Sequence, residues 1–384
     1  MSISVPIRYF DHAATSWPKP TEVTEAMARA LDEAGGNPGR GAHRLALAAA
    51  RTIAAARGAV ASLLGVPDGR DLIFTPGCTA GLNLVLKGVL EPGDRVVVSS
   101  VEHNAVVRPL AWLAARGVEV VVVRADTEGR VEADDFENAV AVALTRAVVC
   151  QHASNVTGVI QPVGDLADIA HAHGAVMIVD GAQAAGHFEL DLGALGVDAY
   201  SCSGHKGLLG PQGIGVLYLA PDFSPGELIQ GGSGGQSEDP LQPRLRPDRY
   251  EAGTVNTAGA AGLGAAAALL SAHGADLRRT EQRLTRRLHE GLLQIPGISV
   301  LGPPPPERRA PLVSVVHERL GGDEIAFALD TRYGIAVRAG LHCSPWTHET
   351  VGTLESGAVR FGLGRALTDA DVDAALAAMA EICA

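Results

Sequence analysis

The feature of this chain most suited to covalent chemistry is a lysine held between glycines directly after an apolar run. In SCSGHKGLLG (Ser201–Gly210), Lys206 follows Gly204 by two residues and precedes Gly207. A tight turn at a strand end can desolvate such an amine, lower its pKa and let it condense with an aldehyde. A solvated loop lysine is the plainer reading of the motif alone. A phosphate loop of the G-x-x-x-x-G-K-[ST] type is absent, because Gly207 follows the lysine. Asp180 closes the run AVMIVD and opens D-x-x-Q with Gln183. A carboxylate at the carboxyl end of a strand can pair with a protonated ring nitrogen, or simply cap a helix. In FTPGCTAGLN (Phe74–Asn83) a strand end, a glycine turn and a helix start offer free amides near Gly77 and Cys78, beside the Thr79 hydroxyl. Such a helix start binds phosphate well, although Thr79 could be an ordinary cap. His103 in SSVEHN and Asn155 in HASNVTG each follow a strand end. An imidazole there could stack on a flat ring and carry protons, and a turn asparagine needs no further role.

Each motif is modest alone, but their order is informative. A phosphate-type helix start, a histidine, an asparagine, Asp-x-x-Gln and a glycine-bounded lysine all fall at strand ends. Strand ends of a doubly wound sheet converge on one crevice. Lysine, ring-nitrogen partner, stacking residue and phosphate cradle together describe a pyridoxal 5'-phosphate site. A nicotinamide dehydrogenase lacks support, since no G-x-G-x-x-G follows the first strand of the block.

The elements that must position these groups read as an α/β chain. Apolar, β-branched runs predict strands at Arg95–Ser100, Val118–Val123, Arg146–Gln151, Ala175–Asp180, Val197–Cys202 and Gly213–Leu219, buried on both faces. Helical patterns fall at 104–116, 132–143 and 164–173 between the first four, and at 21–34 and 44–64 before them. Strand–helix alternation predicts a doubly wound, mostly parallel sheet. Pro221–Asp248 is rich in Pro, Gly and Ser, and so long a loop is expected to be functional or mobile. Beyond it come Ala-rich helices at 256–273 and 276–294, the turn Gly302–Glu307, and an amphipathic helix at 368–382. The expected division is a large domain over 16–255 and a smaller C-terminal α/β domain over 256–384, with residues 1–15 packing on either.

The chain has 384 residues, 47% hydrophobic and 19% charged, which fits a globular protein with a sizeable core. Its net charge of −12 argues against nucleic acid as the main partner. No run is read as approaching the ~20 apolar residues of a membrane span, and residues 1–20 contain no apolar signal segment. The five cysteines, Cys78, Cys150, Cys202, Cys343 and Cys383, are odd in number and have no CxxC spacing. A reducing cytoplasm is expected.

YFDHAAT, EHN, SNVTG, VDGAQ, SGHK, EAGTVNT, RAGLHC and VRFGLG together resemble the class V aminotransferase group of fold-type I pyridoxal-phosphate enzymes, and within it the cysteine desulfurases and selenocysteine lyases. The resemblance implies that Lys206 holds the cofactor covalently, that Asp180 pairs with the ring nitrogen and that Gln183 bonds the ring hydroxyl. It implies that His103 stacks and moves protons. Thr79, Ser203, His205 and the Cys78 amide would hold the phosphate. Thr254 would reach the phosphate of a neighbouring subunit, in a homodimer with shared sites. Asn155 and Arg360 would grip a substrate carboxylate, with Arg338 nearby. Cys343, in R-x-G-x-H-C, would take sulfur from L-cysteine as a persulfide, leaving L-alanine, and pass it to an acceptor protein. A thiolate is the reactive form and a neighbouring cation helps it. Selenocysteine lyase, another C–S lyase or aminotransferase activity, and a non-catalytic sulfur-relay or scaffold role are the alternatives. A metal site at His342, Cys343 and His348 lacks a fourth ligand. Leu341 and the 221–248 loop depart from the family pattern.

Overall fold

The computed structural model describes residues 7–39, 41–234, 238–303 and 309–384. Most of the predicted turn Gly302–Glu307, Arg40 in the loop before the second helix, and part of the Pro221–Asp248 loop lie outside them. The chain opens with β1 (Arg8–Tyr9), α1 (Thr21–Glu33) and α2 (Arg44–Leu63). It then alternates β2 (Leu72–Thr75), α3 (Cys78–Val89), β3 (Arg95–Ser99), α4 (Asn104–Ala114), β4 (Glu119–Val123), α5 (Ala133–Ala141), β5 (Ala147–Gln151), α6 (Val163–Ala172), β6 (Val176–Asp180), β7 (Ala199–Ser203) and β8 (Gly215–Leu219). The last third contains α7 (Thr257–Leu292), β9 (Ile298–Val300), β10 (Leu312–His317), α8 (Gly322–Tyr333), β11 (Ile335–Ala336), β12 (Arg338–Gly340), α9 (Pro345–Thr350), β13 (Ala358–Gly362) and α10 (Asp369–Cys383).

The large sheet has seven strands in the order β2-β8-β7-β6-β5-β3-β4. Only β8 opposes its neighbours, so the sheet is mostly parallel as expected. Side chains alternate between its faces. Val148, Cys150, Met177 and Val179 enter one core, and Ala147, Val149 and Ile178 enter the core on the other face. Register sets the strand ends level, with Gln151 opposite Asp180 and Asp180 opposite Ser201. β4 departs from the expectation of two buried faces. It is an edge strand with Glu119 and Val122 exposed, because nothing pairs with its outer side.

A second sheet, ordered β12-β13-β10-β9, is antiparallel throughout. It packs on Leu284, Leu288, Val372 and Met379 of α7 and α10. β1 pairs with β11, which brings Phe10 into this core. The expected pair of helices at 256–273 and 276–294 is one continuous helix, α7. Gly274 is the only break signal there, and a lone glycine costs a helix about 1 kcal/mol, too little to stop one anchored at both ends. Ala260, Leu263, Ala266 and Leu270 bury in the large-sheet core, while Leu284, Leu288 and Leu292 bury in the second.

The reading that no segment approaches membrane-spanning composition needs correction. α2 and α7 are both long and apolar enough to qualify. Alanine supplies that hydropathy, and here it allows close packing. Gly264 of α7 lies so near Ala56 of α2 that an added Cβ would sit 2.8 Å from it. Beside them Arg57 forms a two-pronged ion pair with Glu251 (2.7 and 2.8 Å), and Glu251 also accepts the Phe74 amide at 2.6 Å. This cluster fastens the end of the long 221–254 segment to the start of the large sheet.

Candidate active site

The strand ends deliver their side chains to one cavity, lined by Cys78, Thr79, His103, Asn155, Asp180, Gln183, Ser203 and Lys206, with Gln151 and three alanines. Asp180 terminates β6, and its Oδ1 accepts the Ala182 amide at 2.9 Å and lies 3.3 Å from the Cys78 thiol. Gly181 must follow it, because a Cβ there would fall 1.9 Å from the Tyr200 ring. Lys206 leaves β7 through a turn in which a Cβ on Gly207 would meet the Ala185 carbonyl at 2.5 Å. Burial lowers the Lys206 amine pKa, while Asp180 and Cys78 oppose the shift. His103 caps α4 by accepting the Ala105 amide on Nδ1 at 3.0 Å. Burial first, against the pull of Asp180, lowers its pKa to about 4, so the ring is neutral at neutral pH. The Cys78 amide meets Ser203 Oγ at 3.4 Å at the start of α3.

Cys343 is exposed and lines an adjoining groove with Thr79, His103, Asn104, Lys87, Arg108 and Trp112. Thr79 and His103 therefore border both spaces. The Cys343 carbonyl accepts the Asn104 amide at 2.8 Å, and Arg338 Nη2 lies 4.0 Å from its sulfur. The other four cysteines are buried. Arg360 is almost wholly buried, donates to the Asn155 carbonyl (3.0 Å) and to Asp11 (3.1 Å), and keeps Nε without a protein partner.

Some predicted residues lie elsewhere. His205 does not line the cavity; its carbonyl instead accepts the Ser16 amide (2.8 Å), Ser16 Oγ (3.0 Å) and Lys19 Nζ (3.0 Å). Thr254 lies in a separate cleft with Asn37, His43 and Arg57, and accepts from Asn37 at 3.3 Å. Beside the 221–248 loop, this cleft is not part of the Lys206 cavity. His342 bonds His348 and the Arg338 carbonyl, and no metal-binding group of three or more ligands occurs among the described residues.

Sequence reasoning missed the N-terminal segment. Asp11 pairs with Arg360, the Ala13 carbonyl accepts from Gln183 at 2.9 Å, and Ser16 and Lys19 hold the lysine turn. It also missed Glu102, which is fully buried, accepts from Ser99 and the Gln151 amide, and has its pKa raised to about 8 by burial. The quoted motif YFDHAAT hinted at the first and EHN at the second, without assigning either a role.

The buried histidines carry a pH prediction. Burial lowers His103, His152, His205 and His348 to about 4 and His342 to about 3. Their unfolded value is 6.5, so the unfolded chain binds more protons in acid. The stability they confer is complete above pH 6.5 and is lost as pH falls from there toward 4. Glu102 acts in the opposite sense, losing its contribution as pH rises toward 8, but one group faces seven, since burial lowers His12 and His289 to about 4 as well. Scanning calorimetry at pH 7 and pH 5 is expected to give a thermal midpoint lower in acid by about 5 °C or more. Equal midpoints would contradict this burial.

The family profile described as "Aminotransferase class-V" matches residues 8–375. A "Probable cysteine desulfurase" of Methanothermobacter thermautotrophicus is 37% identical over 91% of this chain and 89% of its own length. "Cysteine desulfurase IscS" of Methanosarcina thermophila is 33% identical over 97% of this chain and 91% of its own. The apo structure of the cysteine desulfurase from Thermococcus onnurineus NA1 superposes with a TM-score of 0.91, at 33% identity, covering 98% of this chain and 94% of that one. The match runs through both sheets and every strand end that feeds the cavity, and on it the chain belongs to the aminotransferase class-V family.

Proposed function

We propose that the protein is a cysteine desulfurase that uses pyridoxal 5'-phosphate and forms a persulfide on Cys343. The observation supporting this reading most directly is that Lys206, Asp180 and His103 share one cavity while Cys343 stands on the groove that opens from Thr79 and His103.

The residues suit the cofactor. Lys206 offers a desolvated amine to hold it, Asp180 a carboxylate for its ring nitrogen, and the amides at the start of α3 with Ser203 and Thr79 a phosphate cradle. The unpartnered Nε of buried Arg360 suits a substrate carboxylate. When bound, the cofactor supplies an electron sink conjugated to the substrate α-carbon. His103, neutral through burial, can accept and return a proton. The Cys343 thiolate attacks the sulfur of L-cysteine. A sulfur–sulfur bond forms, the carbon–sulfur bond breaks, and its electron pair takes a proton to complete the methyl group of alanine. Cysteine and the Cys343 thiol thus become alanine and a Cys343 persulfide, with no outside oxidant.

Thr254 lies apart from the Lys206 cavity of its own chain, which supports a homodimer in which it reaches a second copy. An acceptor protein taking sulfur from exposed Cys343, and residence in the reducing cytoplasm, complete the proposal. The test is product analysis of the cofactor-loaded protein with L-cysteine, cystine and selenocysteine side by side. Equal amounts of alanine and sulfide from cysteine with a reductant are expected. Turnover of selenocysteine alone would favour a lyase, and no turnover with bound cofactor would favour a scaffold.

A further inference from the structure

The turn that carries Cys343 places two consecutive non-glycine residues in the left-handed region, His342 at φ 51° and Cys343 at φ 58°. L-residues adopt that region at a cost, so surrounding contacts must hold the turn. Main-chain anchors are plain: Asn155 Nδ2 donates to the His342 carbonyl at 2.7 Å, and the Ser344 amide to Leu341 at 2.8 Å. The His342 side chain is held differently. Its Nε2 lies 3.2 Å from the Arg338 carbonyl. A carbonyl only accepts, so Nε2 carries the proton.

One known tautomer fixes the rest. With Nε2 protonated, His342 Nδ1 must accept, and its partner at 3.3 Å is His348 Nε2. That nitrogen must then carry the proton of His348, which leaves His348 Nδ1 as an acceptor. Thr353 Oγ1, 2.7 Å away, is its donor. The rings are tilted by only 20° and their centroids are 5.5 Å apart. That spacing exceeds the roughly 3.5–4.0 Å of stacked carbon surfaces and suits an in-plane N–H···N bond. Neutral rings are required, and burial lowers both histidines well below their ordinary value. His342, His348 and Thr353 are all buried. The bonds therefore run one way, Thr353 to His348 to His342 to the Arg338 carbonyl. They end on the residue whose guanidinium stands 4.0 Å from the Cys343 sulfur.

We propose that Thr353 and His348 are positioning residues for sulfur transfer, holding Cys343 and Arg338 in register through a unidirectional hydrogen-bond chain. The proposal rests on the reading of Cys343 as the sulfur-accepting thiol. The test compares T353V and T353S, then H348L and H348Q, in the cofactor-loaded protein. Valine keeps the shape of threonine and removes the donor. Glutamine can place an amide donor near the position of His348 Nε2. Two readouts are followed: alkylation of Cys343 by iodoacetamide, read by mass spectrometry, and alanine release from cysteine. T353V and H348L are expected to slow alkylation by about threefold or more and alanine release by about tenfold, with T353S and H348Q within about twofold of the parent. Parent rates in T353V, or T353S as slow as T353V, overturn the proposal, and the threonine pair decides alone if H348L fails to fold. A C343A control separates the two claims. Undiminished alanine release in C343A ends the underlying reading, whereas loss in C343A beside an unchanged T353V ends the relay alone.

Discussion

Replacing Lys206 with alanine is expected to lower alanine release from cysteine by at least about 10³-fold, because the amine proposed to fix the cofactor has no substitute within reach. The sequence makes the check unusually clean. Its only lysines are Lys19, Lys87 and Lys206. Lys19 is hydrogen bonded to Ser16 Oγ at 2.7 Å and to the His205 carbonyl, and Lys87 sits over the Trp112 ring at 4.7 Å. Borohydride reduction of the loaded parent should add the cofactor mass to the Lys206 peptide alone, and K206A should gain none. An adduct on Lys19 or Lys87 in the parent, or substantial turnover by K206A, would place the chemistry elsewhere.

The second large effect is expected at Cys343. C343A should lose about 10²-fold or more of cysteine desulfuration while taking up cofactor as the parent does, since the thiol lies outside the cavity shared by Lys206 and Asp180. No other cysteine can stand in. Burial pushes the Cys202 thiol up to about 12 and the Cys78 and Cys150 thiols well above their ordinary value, which suppresses their nucleophilic form. Cys383 is buried in α10, in the other core. Mass spectrometry after one turnover should find one extra sulfur on the Cys343 peptide. The same sulfur on another peptide, or full activity in C343A, would remove the persulfide step.

The strands and the cavity were readable because their signals are local. A β-branched run such as AVMIVD announces a buried strand, and the rule that parallel strand ends converge then brings Asp180 and Lys206 together. What escaped was long-range or subtle in energy. The pairing of Asp11 with Arg360 joins positions 349 residues apart, and neither neighbourhood announces the other. The continuity of α7 turned on whether Gly274 breaks a helix, and burial at both ends outweighed its small cost. Nothing in the sequence assigned His348 a role beyond an incomplete ligand set, and its ring is spent on Thr353 and His342, a choice set by a turn that only the folded chain possesses. Nor did the sequence signal that the His205 carbonyl is held by the N-terminal segment, while its Nδ1 is left without a protein partner.

That N-terminal segment has a consequence for biosynthesis. Arg8 and Asp11 wait on Ile335, Arg360 and Gly362, which are translated long after them. The lysine turn and the large sheet precede β13 in the chain, but the guanidinium pocket closes only when the segment around Arg360 returns to the segment around Asp11. A nascent chain stalled before position 360 would hold the lysine and its acid partner without the guanidinium, so the pocket proposed for the substrate carboxylate is assembled only after both sheets have been made.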